Sequence, residues 1–173
     1  MKKVWWYFIV FVLMVFSFFV DRIISIFVVD NRNPYLIGFF EFVTHFGDWF
    51  ILFIFIGIFL FLKMDKRWVV YSWLSLGLTL LVVYLLKFVF SRERPLDFGT
   101  SFSFPSGHTS AVFSLVPFFV KRFKDYKFLI IMIAVFVGFS RIYLGYHYLS
   151  DVLGGGLIGY VIGEVVSKNE SRN

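Results

Sequence analysis

Long apolar runs alternate with short polar strings along this chain, and most of the runs approach the length of a membrane crossing. A hydrocarbon core takes about 20 apolar residues per helix, within about 17–25. On that criterion the sequence predicts six spans, over 4–20, 49–62, 68–90, 108–120, 128–141 and 148–166. The second, fourth and fifth are short, and would extend into their flanks or cross with little tilt. The longest connection, 21–48, contains Pro34 and an apolar stretch from Leu36 to Phe46 that Glu41, Thr44 and His45 interrupt. That pattern predicts an amphipathic helix lying in the interface. The expected fold is therefore all-α, a polytopic membrane protein of six transmembrane helices plus one interfacial amphipathic helix, with 1–173 forming a single membrane-embedded domain. The first run, Val4 to Val20, follows two lysines as a signal peptide would, yet it ends in Phe18-Phe19-Val20-Asp21 without a small-residue cleavage site. It is expected to be retained as a span.

Composition agrees with lipid as the main solvent. The chain is 60% hydrophobic and 24% aromatic, where soluble domains are about 45–50% apolar with glycine included. Mean hydropathy is +0.83. The net charge of +6 is not read as a nucleic-acid footprint, because the basic residues cluster at the ends of apolar runs. If Lys2 and Lys3 are cytoplasmic, eleven of the seventeen basic residues fall on their side, and the other six are Arg22, Arg32, Lys87, Arg92, Arg94 and Arg141. The positive-inside rule then places both termini in the cytoplasm and the polar strings described next on the outer, periplasmic face of a bacterial inner membrane. The absence of cysteine excludes disulfides, thiol nucleophiles and thiolate metal sites. Gly155, Gly159 and Gly163 recur at four-residue spacing, a register that lets helices approach closely. Packing within a monomer is the favoured reading and a homodimer the alternative.

Three polar strings interrupt the pattern: Lys87 with Arg94-Pro95, Pro105-Ser106-Gly107-His108, and Ser140-Arg141 with His147 and Asp151. Polar groups beside hydrocarbon are costly and persist mainly where they are used. His147 and Asp151, four apart, would share a helix face, so the carboxylate could fix one imidazole nitrogen and leave the other as nucleophile or base. Taken alone, such a pair equally describes a helix-surface contact. Ser106 reads as a helix N-cap with free first-turn amides aimed at an anion, Gly107 as a point of close backbone approach, and His108 as a proton donor beside it. Capping alone would account for that string as well. Lys87, Arg94 and Arg141 would repel one another unless an anion lay between them, and arginine offers a fork for two phosphate oxygens. Snorkelling to lipid headgroups is the competing account of basic residues, and the better one for Arg22 and Arg92.

In this order the strings resemble the tripartite signature of the type 2 phosphatidic acid phosphatase superfamily, in its membrane lipid phosphatase branch, across residues 87–151. The resemblance implies a metal-independent lipid phosphate phosphatase with no cofactor. It makes His147 the nucleophile that forms a phosphohistidine, Asp151 its orienting acid, and His108 the proton donor to the leaving oxygen. Lys87, Arg94, Ser106, Gly107 and Arg141 would hold the phosphoryl oxygens, with Pro95, Pro105 and Ser140 in support. The implied partners are the bilayer and a phospholipid or lipid A type substrate, not nucleic acid. The compact chain resembles bacterial lipid A 1-phosphatases, so lipid A 1-phosphate is the favoured substrate. Undecaprenyl pyrophosphate and phosphatidylglycerophosphate are the alternatives. A non-catalytic phosphate-lipid binding or transport protein is a more distant reading, since it would need no nucleophile and no acid. The soluble haloperoxidases that share the signature are excluded by the spans. Aromatic residues between Leu96 and Phe104 suit an interface where such a lipid would enter.

Overall fold

The computed structural model describes residues 2–62, 65–96 and 101–170, and among these every regular element is helical. The elements are α1 (Lys2–Asp30), α2 (Pro34–Thr44), α3 (Trp49–Phe61), α4 (Lys66–Phe90), α5 (Gly107–Arg122), α6 (Lys127–Tyr143) and α7 (Leu149–Glu170), with single 3₁₀ turns at His45–Gly47 and Lys124–Tyr126. Part of the aromatic loop, residues 97–100, lies outside the described residues, as do Lys63 and Arg172 of the basic set.

Four segments are long and apolar enough to cross a membrane: Trp5–Asp30, Lys66–Phe90, Lys124–Tyr143 and Leu149–Glu170. Pro34–Gly47 and Trp49–Leu60 form a pair bent by 57° that adds a fifth if it is one broken span. Length and apolarity thus support four or five spans. The expected fourth span falls short because α5 has only 16 residues and carries Thr109, Ser110 and Ser114 on buried positions. It is enclosed by its neighbours, and an enclosed helix is selected for packing, not for contact with lipid chains. The outer helices show the opposite character, with Phe19 80% exposed.

The first helix also departs from expectation. It does not stop at Asp21 but runs on to Asp30. No glycine or proline follows Asp21 until Pro34, the apolar pattern continues through Ile23, Ile24, Ile26 and Phe27, and the carboxylate of Asp21 is buried and paired. A helix forms where the interfacial one was expected, α2, started by Pro34 and by Asn33, whose side chain accepts from Tyr35 N–H. Its Phe40 packs on Phe139 and Tyr143 of α6.

The core joins α3, α4, α5 and α7 through Ile56, Trp68, Val69, Leu115, Phe118 and Val166. The tightest seam is between α5 and α7, which run parallel. A Cβ at Gly155, Gly159 or Gly163 would lie 2.6, 2.1 and 2.1 Å from the carbonyl oxygens of Ser106, Ser110 and Ser114. The glycine register therefore faces a matching serine register inside the monomer. This seam locks the start of α5 to the start of α7, and Ser106 N–H donates to Asp151 O at 3.0 Å. Because α4 and α6 end where α5 and α7 begin, all three polar strings gather at one end of the bundle.

Candidate active site

The functional side chains lie at or next to helix ends, where backbone groups lack helical partners, except Arg94, which stands in the segment after α4. Arg141 lies in the last turn of α6, and the chain then reverses through Gly145, whose φ of +78° suits a helix C-terminus that only glycine adopts without cost. The turn folds back so that Tyr146 and His147 N–H both donate to Arg141 O, at 3.0 and 3.2 Å. The expected pairing of His147 with Asp151 on one helix face is corrected: His147 precedes α7, which starts at Leu149. Asp151 instead reaches back over the first turn, accepting from Tyr148 N–H at 2.8 Å on Oδ2, in the manner of an acidic residue at N3 of a capped helix. The two side chains still meet. His147 Nδ1 is 3.5 Å from Asp151 Oδ2, close enough to attract yet too long to count as a formed hydrogen bond. Both residues are buried, and His147 Nδ1 has no hydrogen-bond partner among the described residues.

The cations converge on this pair. Arg94 donates through Nε to Ser101 O at 2.9 Å, through Nη2 to Ser101 Oγ at 2.6 Å and through Nη1 to Tyr146 O at 3.2 Å. Arg141 stacks its guanidinium 4.3 Å from the centre of the Tyr146 ring and donates through Nη1 to Thr44 Oγ1 at 2.8 Å, while its buried Nε has no partner. The two arginines thus flank Tyr146, immediately before His147. Lys87 Nζ donates to the carbonyls of Phe102 and Ser103. His108 is half-buried, and its charged or titratable neighbours are Arg141, His147, Asp48 and His45. Gly47 makes room for it, since a Cβ there would lie 2.9 Å from His108 Cβ.

Three expected roles change in detail. Ser106 occupies the N-cap position of α5 but caps nothing; its hydroxyl pairs with Thr109 Oγ1 at 2.9 Å, so the first-turn amides receive no side-chain cap. A Cβ on Gly107 would be at an ordinary 3.4 Å from Trp49 Nε1, so the protein's own packing does not demand glycine there. Ser140 turns its hydroxyl back onto Val137 O at 2.7 Å and serves its own helix. Pro95 ends the K-x6-R-P string in a bend, and Pro105 is buried just before α5.

Arg92 is the clearest correction. It does not snorkel: its Nη1 lies 2.8 Å from Asp151 Oδ1 and its Nη2 2.8 Å from Asp21 Oδ2. Neither Asp21, Thr44 nor Tyr146 was marked by the sequence as part of this region. An acid flanked on both sides by apolar helix was the available signal for Asp21, since a buried carboxylate requires a partner.

The proton affinity of His147 is lowered well below the ordinary value of 6.5, first by burial and then by the positive charges of Arg141, Arg94 and Lys87. Both causes act against the charged ring. The unfolded chain binds a proton at this residue near pH 6.5 and the folded chain does not, so this group costs stability as pH falls below that value. A direct check is ring-proton NMR of the detergent-solubilised protein, which has three histidines. The His147 resonances are expected to stay those of a neutral ring as pH is lowered through 6.5, and a midpoint at or above 6.5 would contradict the electrostatic picture.

Comparison with known proteins decides the family. The PAP2 superfamily profile matches residues 68–173. The chain belongs to the PAP2 superfamily. Phosphatidylglycerophosphatase B of Bacillus subtilis is 37% identical over 50% of this chain and 54% of its own length. The lipid A 4'-phosphatase of Porphyromonas gingivalis is 29% identical over 79% of this chain and 67% of its own. The crystal structure of a transmembrane PAP2 type phosphatidylglycerolphosphate phosphatase from Bacillus subtilis superposes with a TM-score of 0.79 at 28% identity, covering 96% of both chains. Other matching relatives are named undecaprenyl-diphosphatase and lipid A 1-phosphatase. The PAP2 fold of this chain thus brings Lys87, Arg94, His108, Arg141, His147 and Asp151 to one end of the bundle. Ser106 and Gly107 stand at the head of α5 beside them.

Proposed function

We propose that this PAP2 chain is a lipid phosphate phosphatase of a bacterial inner membrane, with both termini in the cytoplasm and its site opening to the periplasm. The observation that carries the reading is the buried imidazole of His147 with Lys87, Arg94 and Arg141 as its positive neighbours, and unsatisfied donor capacity at Arg141 Nε. Like charges at the edge of a buried site, one of them buried with an unsatisfied donor, suit a multiply charged anion. In the reaction, a ring nitrogen of His147 forms a bond to phosphorus while the bond from phosphorus to the lipid oxygen breaks. His108 delivers a proton to that oxygen. Water then attacks the phosphohistidine, the nitrogen–phosphorus bond breaks and phosphate leaves. Asp151 stabilises the positive ring during both steps, and the cations and the first-turn amides of α5 carry the charge gathering on the phosphoryl oxygens. These groups supply the positive charge, so turnover in EDTA is expected.

The orientation rests on charge asymmetry, and Arg92 now strengthens it. Only Arg22 and Arg32 remain on the outer side without a place in the site, against eleven basic residues inside. A sixth crossing by α5 fits its position between α4, α6 and α7, where buried positions such as Thr109, Ser110 and Ser114 need not be apolar.

An apolar cavity of about 280 Å³ supports an amphiphilic substrate. It is lined by Phe46, Phe55, Val112, Val116, Phe119 and Ile133 among others. Val112, Val116 and Phe119 lie four, eight and eleven residues after His108, on the same face of α5. Through Val112 the cavity comes within one helical turn of the proton donor. Relatives are named for lipid A, undecaprenyl diphosphate and phosphatidylglycerophosphate; lipid A 1-phosphate is kept as the first substrate to test, with the other two behind it. The test compares turnover on these three lipids and on a soluble phosphomonoester, for the wild type and Val116→Trp. The lipids are expected to be favoured, and the variant to raise KM for them about tenfold while sparing the soluble ester, a loss on the scale of a few buried methylenes. Equal efficiency on the soluble ester would sink the lipid reading.

A further inference from the structure

Two carboxylates hold Arg92, whereas among the described residues no carboxylate pairs with Lys87, Arg94 or Arg141. Nη1 donates to Asp151 Oδ1 at 2.8 Å and to Ser150 Oγ at 2.6 Å, and Nη2 donates to Asp21 Oδ2 at 2.8 Å. Ser150 closes the other side, its N–H donating to Asp21 Oδ1 at 3.0 Å and its hydroxyl to Asp21 Oδ2. The guanidinium lies between two aromatic faces, 4.8 Å from the centre of Phe18 and 4.2 Å from that of Tyr148. With its forked donors engaged and both faces covered, Arg92 is not free to turn toward a phosphate. Asp21 and Asp151 are both fully buried, and a single guanidinium joins them.

The consequence falls on Asp151. A carboxylate can rotate about its last torsion, which is broad and roughly two-fold. Here Arg92 fixes Oδ1, so Oδ2 is left to accept from Tyr148 N–H and to face His147 Nδ1. From this geometry we propose that Arg92, anchored by Asp21 on α1, is a positioning residue: it fixes which oxygen of Asp151 meets His147 Nδ1, and thereby which ring nitrogen of His147 carries the proton. The proposal rests on the phosphatase reading above. It also gives α1 a place in the chemistry, although α1 supplies no group that reaches phosphate. Outer partners that orient a metal-bound histidine are worth about 10–100-fold when removed, and the same scale is expected for a partner that orients His147 through Asp151.

The test uses the full chain in detergent, with Arg92→Gln, Arg92→Lys and Asp21→Asn beside the wild type and Arg141→Gln. It reads kcat and KM separately, the single-turnover rate of phosphohistidine formation, and the His147 tautomer by NMR. Arg92→Gln is expected to lower kcat and the phosphohistidine rate about 100-fold with KM within about threefold, and to mix the His147 tautomers. Asp21→Asn keeps the Arg92 to Asp151 contact and should lose about tenfold in kcat. Arg92→Lys should recover part of the rate, since an ammonium can hold one carboxylate but cannot fork to both. Arg141→Gln should instead raise KM, as expected of a phosphate ligand. If Arg92→Gln raises KM as Arg141→Gln does, Arg92 is a ligand and the proposal is overturned. If Arg92→Gln does not fold, the other two variants decide: wild-type kcat and a wild-type His147 tautomer in both overturn it. If the wild type forms no phosphohistidine, the phosphatase reading fails; a tautomer change in the variants would still uphold the positioning role, and none would end it.

Discussion

Replacing His147 with alanine is expected to abolish phosphate release, by on the order of 10⁴-fold or more, as loss of a covalent nucleophile does elsewhere. The candidates to replace it are few. The chain has no cysteine and only two other histidines. Asp151 is spent on Arg92 and Tyr148 N–H, and the hydroxyls of Ser106 and Ser140 are bonded to Thr109 and to Val137 O. His108 is assigned the opposite task of giving a proton. Without His147 the cationic cradle can still bind phosphate, so KM should change far less than kcat, which separates a lost nucleophile from a lost ligand. The measurement is phosphate release together with acid quenching of the enzyme and its phosphorylated lipid. Acid-labile, protein-bound phosphate should appear on the wild type and be absent from His147→Ala. Residual activity within tenfold of the wild type would remove His147 from the role of nucleophile.

Legibility from sequence followed the kind of interaction involved. The three polar strings were readable because each carries residue types that hydrocarbon penalises, at short spacings that fix which helix end they occupy. Their convergence follows from helix polarity alone, since Lys87 and Arg141 close helices while His108 and Asp151 stand at the beginning of helices. Interactions between distant segments were not readable. The link of Asp21 to Arg92 spans 71 residues and that of Thr44 to Arg141 spans 97, and nothing local marks either acid or hydroxyl as a partner. Length and apolarity support four or five of the six expected spans for a related reason. Hydropathy treats every helix as facing lipid, whereas α5 faces other helices, and its Ser110 and Ser114 are satisfied internally by Ser106 O and Ala111 O. Asp21 misled in the other direction: a charge usually ends a span, yet here a guanidinium from a distant loop allows the helix to continue.

The seam between α5 and α7 gives the largest effect on folding. Gly159→Leu is expected to prevent stable folding in detergent, and even Gly159→Ala should cost about 2–3 kcal/mol, toward the upper end for overpacking a rigid site. The reason is the identity of the opposing atoms. A Cβ at Gly159 would stand 2.1 Å from Ser110 O, 2.9 Å from Ser110 C and 3.0 Å from its Cα. All three are backbone, so no side chain can turn aside and the helices must separate. Separation would also pull Ser106 N–H from Asp151 O, so damage in mid-membrane should reach the site through the shared ends of the two helices. Gly156 provides the control within the same helix, because a Cβ there meets only the Phe113 ring, at 3.6 Å or more. Gly156→Ala should be neutral or add up to about 1 kcal/mol through helix propensity. Thermal unfolding of both alanine variants, followed alongside the phosphohistidine rate, checks the argument. Equal stability of Gly159→Ala and Gly156→Ala would show that the seam yields, and that close backbone contact is not what holds the start of α5 against the start of α7.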